Sequence, residues 1–207
     1  MSSEHLFTYL DPPNLRHLDQ IVHVLRSHGV VAISTGTNWA FAADPTSKKA
    51  NERIRALKPK HPADRPFALL CSSISMATSM TIIDGGAYRL LNRLWPGAFT
   101  VILKGSRALP RVLKTKRLVV GVRVPEDALA LAIIEHFGGP LMVSTVPKGA
   151  DGTPVTLGYE VQEQFGHGLD LVIDLGEELP GTETTVLDLS QGDVEVIREG
   201  AGDLGLL

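Results

Sequence analysis

The sequence predicts an α/β fold: a single domain built on a twisted, mixed, open sheet. Three observations carry this. Helix-like and strand-like periodicities alternate from residue 14 to residue 146, which is the signature of an α/β domain. Strand-like runs then crowd the chain after residue 168 and finish as a hairpin, so the sheet is mixed. Several apolar runs end in hydroxyl-bearing or cationic residues, and ligands of open α/β sheets bind at such ends.

The elements follow in order. Leu15, Leu18, Ile21, Val22 and Leu25 recur at helical spacing over residues 14–28, with Pro12 and Pro13 before them and Gly29 as the stop. Residues 30–34 are apolar and rich in β-branched side chains, a buried strand. Thr35, Gly36, Thr37, Asn38 and Trp39 then form a polar turn. Ser47 is the expected N-cap of a helix that turns Ala50, Ile54 and Leu57 inward and carries Arg53, Arg55 and Lys58, with Pro59 ending it and Lys60 just beyond. Residues 67–71 form a second strand. Residues 72–80 are weakly helical, and residues 84–94 form a better helix with Tyr88, Leu91 and Leu94 on its apolar side. Residues 95–97 break it, and strands are expected over 99–103, 118–124 and 140–146, with a helix over 126–137. A further helix over 155–165, a strand over 169–175, a loop over 176–183 and a hairpin of 184–189 with 194–199 across Gln191-Gly192 complete the chain.

Composition narrows the class. The 207 residues are 43% hydrophobic, enough for one well-filled core. Apolar runs fall well short of the ~20 residues of a membrane span. The first residues lack the pattern of a secretory leader. With one cysteine, Cys71, and no His/Cys spacing suited to zinc, a cytoplasmic setting is expected and no metal site. Charge is unevenly distributed. Residues 1–150 hold 19 Lys and Arg against 10 Asp and Glu, whereas residues 151–207 hold 1 against 13. Such a split implies a basic face and an acidic face. The most basic part, residues 104–117, has six cations and no acid, and Lys114, Lys116 and Arg117 are its candidates for RNA contact.

The polar strand ends are read as one site. Thr35, Thr37, Ser144 and Thr145 offer hydroxyls, and Arg123 and Arg198 offer charge at the ends of their strands. Arg123, in an apolar run, needs either a ligand or a structural acid such as Glu126. Trp39 serves equally well as core or as ligand wall. His61 is read as a surface partner of Asp64. Lys58 and Lys60 complement a helix C-terminus or bind phosphate.

The same residues carry a family resemblance over roughly residues 15–201. Ser34-Thr35-Gly36-Thr37-Asn38-Trp39-Ala40-Phe41 resembles the PTDTVYGL segment of YrdC-like domains, and Lys58-Pro59-Lys60 their KxR motif. Trp95-Pro96-Gly97 with Thr100 resembles WPGPLT, and residues 121–125 match GVRxP. Thr184-Thr185-Val186-Leu187-Asp188 resembles STVVD, and residues 197–201 resemble LRPGA. Residues 109–113, 116–117 and 198–203 are similar to the YciO branch of that family.

The resemblance implies a YrdC-like fold, a twisted, mixed open sheet around a large concave site, and a nucleotidyltransferase reaction. L-Threonylcarbamoyl-adenylate is made from ATP, L-threonine and bicarbonate, Mg²⁺ accompanies ATP, and the product serves threonylcarbamoyladenosine modification of tRNA. Lys58 and Lys60 take the catalytic KxR place. Arg53, Arg123, Thr35, Thr37, Trp39, Ser144, Thr145, Thr184 and Arg198 take nucleotide- or substrate-binding places. Two motifs are eroded. The family's SxN reads Thr145-Val146-Pro147, and proline has neither an amide side chain nor a backbone N–H. The arginine of KxR is Lys60, which lacks the planar fork that grips phosphate. ATP or adenylate binding with weak synthase activity is therefore expected; the alternative is a non-catalytic module binding tRNA or double-stranded RNA.

Overall fold

A computed structural model of the chain describes residues 3–62 and 64–207. The strands are β1 Glu4–Phe7, β2 Val31–Ser34, β3 Trp39–Ala43, β4 Ala68–Leu70, β5 Thr81–Ile82, β6 Phe99–Gly105, β7 Val119–Arg123, β8 Leu141–Thr145, β9 Leu171–Asp174, β10 Thr185–Asp188 and β11 Glu195–Arg198. The helices are α1 Leu15–Arg26, α2 Lys48–Leu57, α3 Ile74–Met80, α4 Gly85–Leu94, α5 Ala128–Phe137 and α6 Gly158–Phe165. Short polar side chains start five of the six helices: Asn14, Ser47, Ser73, Asp84 and Asp127 each accept from the backbone N–H three residues on. Among the described residues no helix is long and apolar enough to cross a membrane.

All strands join one mixed sheet in the order β1-β9-β2-β3-β8-β4-β7-β6-β10-β11, with β5 added beside β6. Alternation divides its side chains between two cores. Val31, Ile33, Ala40, Ala42, Leu141 and Val143 face α1 and α5. Ala32, Trp39, Phe41, Leu69, Val122 and Met142 face α2, α4 and α6 on the other side. Beyond α1 and α5 the first face continues over β4, β7, β6 and β10 and is left open.

The connection from β9 to β10, residues 175–184, shapes that open face. Seven strand-to-strand steps separate β9 from β10, about 34 Å if the sheet were flat. Ten residues barely reach so far when fully extended. Yet Thr182 N–H bonds to the Thr37 carbonyl (3.2 Å), in the turn between β2 and β3. Asn38 Nδ2 bonds back to the Thr182 carbonyl (2.5 Å). The sheet therefore curls, and the connection crosses the concave side as a strap.

Several expectations change. Trp39 does not end a turn; it opens β3, a strand whose Trp-Ala-Phe-Ala-Ala sequence has no β-branched residue to signal it. β1 and β5 were likewise unexpected. α6 starts at Gly158 rather than at residue 155. Tyr88 is exposed, and Leu90 joins Leu91 and Leu94 on the buried side of α4.

Candidate functional site

The concave face holds a cavity of about 300 Å³. Its floor is the small apolar part of the sheet: Ala40, Ala68, Leu70, Val143 and Val186. Thr35, Thr37 and Asn38 line it from the β2–β3 turn, and Lys58, His61 and Arg65 from the loop after α2. Arg123 comes from the end of β7, Thr100 from the start of β6, Ser144 and Thr145 from the end of β8. Glu183 and Thr184 of the strap and Arg198 of β11 close the circle. The strands do not present their C-terminal ends in common, because β7 runs opposite to β8. The site lies across the face of a mixed sheet, not at the carboxyl edge of a parallel one.

Arg123 joins the turn to the sheet. It is 6% exposed. Its Nε donates to the Gly97 carbonyl (3.0 Å), Nη1 to Thr35 Oγ1 (3.3 Å) and Thr37 Oγ1 (3.0 Å), and Nη2 to the Thr35 carbonyl (2.9 Å). Among the described residues no carboxylate pairs with it, so the expected alternative of a Glu126 ion pair is not realised. Burial lowers its pKa to about 10, partly opposed by the field of Asp127. Asp127 also accepts from Ser34 Oγ (2.5 Å) while capping α5. Ser34 Oγ in turn accepts from Gly36 N–H (3.1 Å), where the backbone takes φ 77°. The turn that presents Thr35 and Thr37 is thus pinned from both sides.

Lys58 caps α2, and its Nζ donates to the Thr145 carbonyl (2.5 Å). Burial lowers its pKa to about 8, with Glu183 opposing the shift. His61 sits tilted against the Phe67 ring, and its Nε2 donates to the Arg65 carbonyl (3.1 Å), so Asp64 is not its partner. Burial lowers its pKa, and Lys58, Arg55 and Arg65 add to the effect. On the far wall Arg198 pairs with Glu183 (2.8 Å) and donates from Nη2 to the Thr184 carbonyl (2.9 Å). Thr184 Oγ1 shares a 2.9 Å hydrogen bond with Thr100 Oγ1. Cations outnumber the one acid, Glu183, and hydroxyls ring the space between them. Such a cavity suits an anionic ligand that also carries hydrogen-bonding groups.

The structure brings together Thr35, Thr37, Lys58, Arg123, Thr145, Thr184 and Arg198. Ser144 borders the cavity, but alternation along β8 turns its side chain away from the face of Val143 and Thr145. Trp39 is not a ligand wall: it is 1% exposed on the opposite face of β3, with Nε1 donating to the Thr156 carbonyl (3.0 Å). Arg53 is also elsewhere. Five residues before Lys58, it is turned about 140° away around α2, and it pairs with Asp170 (2.7 Å) and the Gly168 carbonyl (3.0 Å). Lys60 is exposed and does not reach the cavity. Lys114, Lys116 and Arg117 lie on the loop joining β6 to β7, at the end of that hairpin away from Thr100 and Arg123. Asn38, His61, Arg65 and Glu183 escaped the reading of the sequence, although Asn38, His61 and Glu183 each neighbour a residue it selected. Among the described residues no group of three or more His, Cys, Asp or Glu is placed to hold a metal.

Comparison with known proteins places the chain among relatives of the same fold. The family model Sua5/YciO/YrdC, described as telomere recombination, matches residues 23–200. The chain is 31% identical over 203 residues to the uncharacterised protein YciO of Escherichia coli (strain K12), covering 98% of each. It is 30% identical over 177 residues to the threonylcarbamoyl-AMP synthase of Pyrococcus abyssi, covering 85% of this chain and 52% of that one. It therefore spans about half the length of that synthase. The crystal structure of E. coli YciO superposes with a TM-score of 0.89 at 30% identity, covering 100% of this chain and 99% of that one. P. abyssi Sua5 complexed with L-threonine superposes at 0.83 and 26% identity, covering 97% and 58%. The chain belongs to the Sua5/YciO/YrdC family.

Proposed function

We propose that the cavity binds ATP or an adenylate together with L-threonine, and that the chain makes L-threonylcarbamoyl-adenylate slowly from ATP, L-threonine and bicarbonate. The observation that carries this reading is the convergence of Lys58, Arg65, Arg123 and Arg198 with the hydroxyls of Thr35, Thr37, Thr100 and Thr184 around one cavity. The cations suit phosphates and a carboxylate, and the hydroxyls suit an amine and an alcohol. The relatives named as synthases and the relative complexed with L-threonine point the same way. A cytoplasmic place in tRNA threonylcarbamoyladenosine modification follows from that reaction.

In this reading Mg²⁺ bound with ATP would supply charge neutralisation for the phosphates. The cavity offers it one carboxylate, Glu183, already paired with Arg198, so the phosphates would supply most of its oxygens. The low rate rests on two positions. Pro147 puts no amide into the site, and Lys60 stands outside it. The test is incorporation of radiolabelled bicarbonate in the presence of ATP and L-threonine, run beside a full-length synthase. Slow formation of product, dependent on both substrates, is expected. No product at all would remove the reaction from the proposal, and turnover equal to that of the synthase would show the eroded motifs dispensable.

A further inference from the structure

We propose that Arg65 is the second cation that grips the ligand's anionic group, in the place that the resemblance gives to Lys60. This rests on the reading of the cavity as a site for a phosphate-bearing ligand.

The loop after α2 is built through its backbone. Arg65 N–H donates to the Pro62 carbonyl (3.2 Å), and the Arg65 carbonyl accepts from Arg55 Nη2 (3.2 Å) and His61 Nε2 (3.1 Å). Arg55 is itself fixed: its Nε donates to Asn51 Oδ1 (3.2 Å), and its guanidinium lies 4.9 Å from the centre of the buried Phe67 ring. Pro66 further restricts the backbone of Arg65. All these contacts leave the Arg65 guanidinium unused: among the described residues it has no hydrogen-bond or ion-pair partner, and Arg65 is one of the residues that line the cavity, as Lys58 is. The other cations there are engaged. Arg123 serves four acceptor contacts, Arg198 is held by Glu183 and Thr184, and Lys58 is tied to the Thr145 carbonyl. Arg65 is therefore the cavity's uncommitted fork, with the planar geometry that matches phosphate oxygens and that Lys60 lacks.

The experiment is calorimetric titration of the full chain with inorganic pyrophosphate, and separately with ATP, for wild type, Arg65→Ala, Arg65→Lys and Lys60→Ala, with melting of each protein. Arg65→Ala should weaken pyrophosphate binding by about tenfold or more, Arg65→Lys less, and Lys60→Ala by less than about twofold. Melting should not change in Arg65→Ala, because the loop is held through the backbone of residue 65. Wild-type affinity in Arg65→Ala, or an equal loss in Lys60→Ala, would overturn the assignment and leave the cavity reading standing. Wild type that binds neither pyrophosphate nor ATP would overturn both.

Discussion

Arg123 shows what a single residue adds beyond its sequence context. From the sequence it is a cation in an apolar run, and replacing it by alanine is expected to cost binding and little stability. Its four contacts to the turn and to Gly97 reverse the second half of that expectation. Hydrogen bonds to a charged donor contribute about 1.5–3 kcal/mol each, so Arg123→Ala should lower stability in urea by at least about 3 kcal/mol. Arg123→Lys should restore only part of that. A small loss would mean that Thr35 and Thr37 hold their places without it. Lys58 gives a prediction in pH. With its pKa lowered to about 8, the free protein holds it about half protonated at that pH. A bound phosphate raises the pKa, so ATP binding near pH 8 should take up to about half a proton, and the uptake should vanish below about pH 7. Titrations in buffers of different ionisation enthalpy measure it, and Lys58→Met should abolish it. The sign for folding is opposite to that of a paired base. The buried cation is disfavoured in the folded state, so its cost is full below pH 8 and fades as pH rises toward the unfolded value of 10.5. Most of the site's residues were legible as hydroxyls and cations at strand ends. Trp39 was not legible as core, nor the direction of the Ser144 side chain at the cavity's border, because only the phase of β3 and β8 against their neighbours says which face each side chain takes.

At the scale of elements, apolar spacing made all six helices, α3 only weakly, and most strands legible. β3 was hidden by its alanines, and with it the two-residue alternation that separates Ala40 in the cavity from Trp39 in the core. The strap was legible only as a loop. Its path depends on the distance between β9 and β10, which follows from the strand order and not from the residues of the loop. Gly181 is where that path is tightest. It has φ 69°, and an added Cβ would lie 2.8 Å from Pro154 Cβ and 3.0 Å from Thr156 Cγ2. Gly181→Ala should therefore cost at least about 1–2 kcal/mol in urea. It should also weaken ATP binding, because Glu183 and Thr184 hang from the same strap. Loss of stability with undiminished ATP affinity would mean that the strap does not shape the cavity.

At the scale of the whole molecule, strand order overturns the simplest reading of the charge split. β10 lies parallel to β6, so the turn from β10 to β11 emerges at the same end as the basic loop between β6 and β7. Asp188, Asp193 and Glu195 are thus brought to the end of the sheet that carries Lys104, Arg107 and Lys114, a neighbourhood that residue counts along the chain do not reveal. That end is also away from the cavity. Replacing Lys114, Lys116 and Arg117 together by alanine should leave ATP affinity unchanged within about twofold. If tRNA binds there, the same variant should bind it more weakly and with a flatter salt dependence; an unchanged salt slope would take this loop out of any RNA contact. The central claim, that the concave cavity is a nucleotide site, is tested most directly by titrating ATP–Mg²⁺ calorimetrically into wild type and Arg198→Ala. Arg198 lines the cavity from a half-exposed position, so its loss should spare the fold. We expect one ATP per chain in wild type and an affinity lower by about tenfold or more in Arg198→Ala; no binding by wild type, or equal binding by both proteins, would contradict the claim.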